Sequence, residues 1–189
     1  MLSSTGISTY NKMNFKYGYV EVRAKVPFNG TGEWPSLWMV SSYAKLAGEQ
    51  NARTFEVDIF ENMGGGGLKA NVHNWPGKTD GEKKLNLIQS DNSLDCKGDY
   101  EFHTYGLLWT QGSFTFYRDD VVYASYKANR EDLPEEVEDQ MTDLRMGIGF
   151  NFDNKEFSIS GFQDCVYEID YCRLYQIPSE SCLLVRPAE

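Results

Sequence analysis

Three carboxylates fall within six residues of this sequence: Glu56, Asp58 and Glu61, in the run Glu56-Val57-Asp58-Ile59-Phe60-Glu61. On a strand, side chains at i and i+2 share a face, so Glu56 and Asp58 are neighbours while Val57 and Ile59 point into a core. Strict alternation sends Glu61 to that apolar side, where an unpaired carboxylate is very costly. A β-bulge within Ile59-Phe60 adds one residue and returns Glu61 to the side of Glu56 and Asp58. Like charges on one ridge raise a pKa, which is what general acid catalysis requires. The bland alternative is a solvated strand face carrying acids by chance. The flanking segments are rich in Trp, however, as a sugar cleft would be.

Trp34 and Trp38 are four apart, hence on one face of an extended segment with Ser36 between them. They either pack in the core or offer ring faces to a ligand. His73 follows the Gly64 to Gly67 run on a candidate strand, with Trp75 beside it. The glycine run reads as a loop and lacks the G-K-[ST] of a phosphate cradle.

The elements that must hold these residues read as β almost throughout. Tyr19 to Val26 alternates strictly, with Val20, Val22, Ala24 and Val26 on one face, and Pro27 stops it. Thr54 to Glu61, Leu144 to Phe150 and Val166 to Tyr175 are further strands. Ser113 to Tyr117 and Val121 to Tyr126 flank Arg118-Asp119-Asp120 as a hairpin. A short helix is expected from Asp132 to Met141, with Pro134 near its start. Strands at this spacing without interleaved helices predict an antiparallel sandwich or barrel. No repeat or linker divides the 189 residues, so one domain is expected.

Composition narrows the partners. Eighteen Lys and Arg against 28 Asp and Glu give a net charge of −10, without the basic footprint that nucleic acid demands. Strongly sulfated or uronate polymers are repelled on average, whereas a neutral sugar is not. Tyr, Phe and Trp make up 14% of the chain, and such surfaces suit sugars. No window approaches 18 continuous apolar residues, so no membrane span is expected, and Met1 to Gly6 does not read as a signal peptide. Cys96, Cys165, Cys172 and Cys182 lack C-x-x-C spacing; two bridges or four thiols are both compatible with them.

The acidic run also resembles the E-x-D-x-x-E signature of glycoside hydrolase family sixteen, in the bulged form of laminarinases and agarases. The resemblance extends from about Gly6 to Gln176. It takes in Tyr17-Gly18-Tyr19-Val20-Glu21-Val22-Arg23-Ala24-Lys25 and Gly32-Glu33-Trp34-Pro35-Ser36-Leu37-Trp38, similar to the family's G-x-W-P-A-x-W. Phe102-His103-Thr104-Tyr105 before Trp109 follows, and Ile169-Asp170-Tyr171-Cys172-Arg173-Leu174-Tyr175 is like V-D-Y-V-R-V-Y.

This resemblance implies an all-β, antiparallel β-sandwich of jelly-roll (concanavalin-like) type. It implies a retaining endo-glycosidase acting on β-1,3-linked or mixed β-1,3-1,4 glucan. Agarase-like galactan hydrolysis, or a non-catalytic glucan-binding protein on the same fold, are the alternatives. By resemblance Glu56 is the nucleophile, Glu61 the acid/base and Asp58 the residue between them that sets the protonation balance. Trp34, Trp38 and His73 border the substrate. Gly18 and Asp170 match positions that hold a structural calcium in many members, although one carbonyl and one carboxylate are few ligands for that ion; catalysis itself needs no cofactor. Members usually carry further N-terminal strands, so by resemblance the chain is either an N-terminally truncated fragment, with self-association expected through uncovered strand edges, or closes its sheets differently. It also implies an extracellular or periplasmic setting.

Overall fold

Period-two alternation of apolar and polar residues builds two facing sheets. The computed structural model describes residues 4–28, 32–41, 53–63, 67–75, 85–87, 93–150 and 165–186. Of the loop expected at Gly64 to Gly67, residues 64–66 lie outside these. The strands are β1 (Gly6–Ser8), β2 (Met13–Lys16), β3 (Gly18–Lys25), β4 (Glu33–Val40), β5 (Thr54–Glu61), β6 (Gly67–Trp75) and β7 (Leu85–Asn86). They continue with β8 (Ser93–Asp95), β9 (Phe102–Thr110), β10 (Ser113–Arg118), β11 (Val121–Lys127), β12 (Asp143–Phe150), β13 (Glu168–Tyr175) and β14 (Cys182–Val185).

Among the described residues one sheet runs β1-β12-β4-β5-β6-β7, with β8 also on β6. The second runs β11-β10-β9-β3-β13, and β14 pairs with β2. Pairings are antiparallel throughout. The alternating residues of β3 (Val20, Val22 and Ala24) are buried as their spacing predicts. They meet Leu37 and Met39 of β4, Val57 and Ile59 of β5, Val72 of β6, and Leu107 and Trp109 of β9 in one apolar cluster. The expected antiparallel sandwich is what forms.

The helix expected at Asp132 to Met141 shrinks to one turn, α1 (Glu135–Glu138). Pro134 lacks an N–H and starts it. At the other end Thr142 exchanges two backbone hydrogen bonds with Phe15, which needs an extended chain and stops further helix.

Among the described residues three strands carry a bulge: β13, where Asp170 is the extra residue against β3, and the two that bear on the site, β5 and β11. In β5 the register on β4 steps from Asp58 opposite Trp38 to Phe60 opposite Leu37, leaving Ile59 with no Cα partner on either neighbour. In β11 the register on β10 steps from Val122 opposite Tyr117 to Ala124 opposite Phe116, leaving Tyr123 as the extra residue. The hairpin that carries it turns at Asp119 and Asp120, with φ of 49° and 63°. Two successive left-handed residues make the tight connection whose twist matches a hairpin. Asp119 fits its place, because its carboxylate accepts from Thr104 N at 3.0 Å and meets His103 Nδ1 at 2.5 Å.

Asp120 makes no such use of its side chain in the turn. Glycine there relieves the left-handed strain, so Asp120→Gly should stabilise the protein by up to about 1 kcal/mol. A higher denaturant midpoint at unchanged slope is the expected reading; a lower midpoint would contradict this view of the turn.

Candidate active site

The bulge in β5 settles where the acids go. Ile59 and Phe60 both turn inward and are fully buried. Phe60 packs among Tyr105, Phe28 and Tyr167, at ring-centroid distances of 4.6, 6.0 and 6.2 Å. Burying two such side chains contributes about 1.5–3 kcal/mol each, whereas an unbulged strand would send Glu61 into the same core. Glu56, Asp58 and Glu61 therefore share the outer face of the sheet and line one cleft of about 250 Å³ with Trp34, Ser36, Trp38 and Gly149. Both tryptophans belong to the cleft rather than the core.

Contacts between neighbouring strands hold each acid. Trp34 Nε1 donates to Glu61 Oε2 at 3.1 Å, so one wall of the cleft also orients that carboxyl. His73 of β6 stands opposite Glu56 in the register and is 4% exposed. Its Nε2 lies 2.8 Å from Asp58 Oδ2 and 4.0 Å from Glu56 Oε1. The imidazole thus braces the middle acid and sits within reach of the first. Trp75 backs the ring, with centroids 6.0 Å apart. Donor atoms of Glu56, Asp58 and His73 lie within 4.8 Å of one another, a grouping a cation would find suitable by spacing alone.

The cleft continues away from the acids as a trough across the strands. One register row joins Gly6 of β1, Gly147 of β12, Ser36 of β4 and Glu61 of β5. The three residues leading to Glu61 have almost no side chain, so they form a floor. Trp34, with Gly149 beside it, flanks that floor on one side, and Trp38 with Arg145 on the other. This extension holds about 390 Å³. Arg145 lies over the Trp38 ring at 4.9 Å, and its Nε donates to the fully buried Asp143 at 2.7 Å. Gly147, Gly149, Arg145 and Asp143 were not among the residues expected from sequence. The signal that would have found them is Arg-x-Gly-x-Gly on a strand, which puts two glycines and a cation on one face.

The calcium pair does not assemble. Gly18 sits at one end of β3, beside the Tyr19–Tyr175 pair, while Asp170 lies across from Arg23 and Ala24. Five residues of strand, roughly 17 Å, separate the two positions. The Asp170 carboxylate is taken by Arg23 Nη1 at 2.6 Å. The glycine at 18 has another cause: φ is +127°, and an added Cβ would stand 2.6 Å from the Tyr175 carbonyl oxygen. Gly18 and Asp170 are therefore corrected from a metal site to a close strand approach and a surface ion pair.

Comparison with known proteins places this geometry. The family model described as Glycosyl hydrolases family 16 matches residues 2–162. A glucan endo-1,3-beta-glucosidase A1 of Niallia circulans is 25% identical over 191 residues, which cover 92% of this chain and 26% of that protein. An endo-1,3-1,4-beta-glycanase of Rhizobium meliloti (strain 1021) is 26% identical over 177 residues, 92% of this chain and 33% of that protein. The chain thus spans between a quarter and a third of the length of these curated relatives. Among solved structures, a laminarinase from Flavobacterium sp. UMI-01 overlays with a TM-score of 0.66 at 30% identity, over 91% of this chain and 72% of that one. The sandwich is accordingly of the jelly-roll type.

The trough floor generates a test of its own. A Cβ at Gly147 would stand 2.9 Å from Thr5 O and 3.0 Å from Gly6 Cα, both backbone atoms. Gly147→Ala should therefore push β1 away from β12 and destabilise by about 1–3 kcal/mol, the usual range for overpacking. Thermal melts and faster amide exchange at Ile7 would register it; unchanged exchange there would show that the floor has slack.

Proposed function

The chain belongs to glycosyl hydrolases family 16, and from that membership we propose that it hydrolyses β-1,3-linked or mixed β-1,3-1,4 glucan with retention of configuration. The observation that carries the reading is the joint placement of Glu56, Asp58 and Glu61 in one cleft walled by Trp34 and Trp38. In this reading the glucan lies in the trough, its ring faces against the tryptophans, across the strands. Glu61 donates its proton to the glycosidic oxygen as the bond from C1 breaks. The Glu56 carboxylate attacks C1 and forms a glycosyl ester. Glu61, now a carboxylate, takes a proton from water, whose oxygen attacks C1 and releases Glu56. Asp58, braced by His73, stands between the two and disfavours a second negative charge nearby, keeping the proton where the first step needs it.

The steps call for no cofactor. A neutral polymer suits the net charge of −10 better than a sulfated galactan does. A glucan polymer is met outside the cytoplasm, so an extracellular or periplasmic setting goes with this reading. Among the described residues, no helix is long and apolar enough to cross a membrane. A protein that only bound glucan would need the aromatic walls and not the three acids.

Glu56→Gln should abolish hydrolysis of laminarin while leaving oligosaccharide binding in place. Glu61→Ala should slow laminarin hydrolysis by about 10²–10⁴-fold. It should spare the first step on an aryl glucoside with an acidic phenol, and added azide should then restore turnover as a β-glycosyl azide. Product NMR from the unaltered chain should show the β-anomer first. Wild-type rates in Glu56→Gln, or an α-anomer first, would end the assignment, and faster cleavage of agarose than of laminarin would move the substrate.

The aromatic walls are tested separately. Base–aromatic stacking, physically akin to sugar–aromatic stacking, is worth about 1–3 kcal/mol per ring, so Trp38→Ala should weaken oligosaccharide binding by that order. Calorimetry on the folded variant with unchanged affinity would take Trp38 out of the binding surface.

A further inference from the structure

The residue that lets Glu61 face the cleft is Ile59, and its main chain is held from the opposite sheet. Ile59 has no Cα partner on β4 or β6. A buried carbonyl removed from regular pairing needs a donor from elsewhere. That donor is the hydroxyl of Tyr123, which reaches across the sandwich to Ile59 O. Tyr123 is itself the extra residue of the bulge in β11. Two bulges, one in each sheet, thus meet through a single hydrogen bond at the core side of the acidic ridge. The Tyr123 ring is steadied by Phe116, with centroids 6.3 Å apart. Burial, then the proximity of Tyr105, Asp58 and Cys96, pushes the Tyr123 phenol well above its ordinary pKa, so it remains a donor through the neutral range.

We propose that Tyr123 is a positioning residue for Glu61: by fixing the Ile59 carbonyl it sets the pitch of the bulge, and so the direction in which Glu61 presents its carboxyl to the bond being cleaved. This rests on the reading of Glu61 as the acid/base. Tyr123 lies on the far side of the sheet from the cleft and touches no substrate. Its effect is on the proton-donating step, which depends on sub-ångström placement of the acid.

Tyr123→Phe removes the oxygen and keeps the ring. Its melting curve and its affinity for laminari-oligosaccharides serve as controls for folding. The expected result is a fall of roughly 10- to 100-fold in kcat on laminarin with little change in KM. Loss on an aryl glucoside with an acidic phenol should be much smaller, since that leaving group needs no proton. In a Glu61→Ala background the same substitution should do almost nothing further, because the group it positions is gone. Wild-type kcat in Tyr123→Phe, an equal loss on both substrates, or a full additional loss in the Glu61→Ala background would each overturn the proposal. If Glu61→Ala alone shows no dependence on the leaving group, the acid assignment falls instead, a result read in a different variant.

Discussion

A strand offers every second side chain to the same face, and three acids with the spacing of Glu56, Asp58 and Glu61 do not fit that rule. Everything at the site depends on how the conflict is resolved. The chain inserts one residue, and the insertion satisfies both faces of the sheet. On the core side Ile59 and Phe60 are both buried, the latter within an aromatic cluster with Tyr105, Phe28 and Tyr167. On the outer side Glu61 comes under the indole N–H of Trp34. Apolar packing thereby stabilises an arrangement of like charges that would be unfavourable by itself.

The opposite sheet is bound into this arrangement rather than serving only as a lid for the core. The β10–β11 hairpin that carries Tyr123 is pinned at its tight turn by Asp119, which meets His103 of β9, while His103 also contacts Asp99 at 3.1 Å. At the other end Glu138, fully buried, accepts from Gly112 N at 2.6 Å and pairs with Arg130 at 2.5 Å. Both ends of the hairpin are thus tied by charge-assisted contacts, stronger than neutral ones. The electrostatic groups far from the cleft hold still the element whose tyrosine reaches the bulge.

How much of this is legible in the sequence depends on the range of the cause. The alternation in β3, the hairpin at Asp119-Asp120 and the bulge are local, and simple rules about polar and apolar faces find them. Spacing alone puts Trp34 and Trp38 on one face; that this face is the cleft depends on the neighbouring strands. The floor at Gly147 is not legible in the sequence because glycine in a strand looks like weakness until its partners, Gly6 and Ser36, are known to be small as well. The helix at Asp132 is shorter than its local pattern predicts because its limit is set by Phe15, more than a hundred residues away. Gly18 and Asp170 matched a motif in sequence, yet pairing register puts them at opposite ends of a strand.

The trough runs across the strands, and this gives it a graduated length. Neighbouring strands are about 4.8 Å apart, and each contributes one rung: β5 the acids, β4 the tryptophans, β12 the glycines with Arg145, β1 the outermost glycine. The sheet therefore acts as a ruler marked in strand widths. On the proposed function, lengthening or shortening the stretch of glucan in the trough is not a matter of continuous adjustment but of adding or removing a whole rung at an edge. On such a ruler, preference for longer or shorter chains changes in discrete increments, and the edge strands, remote from any reacting atom, are where those increments are made.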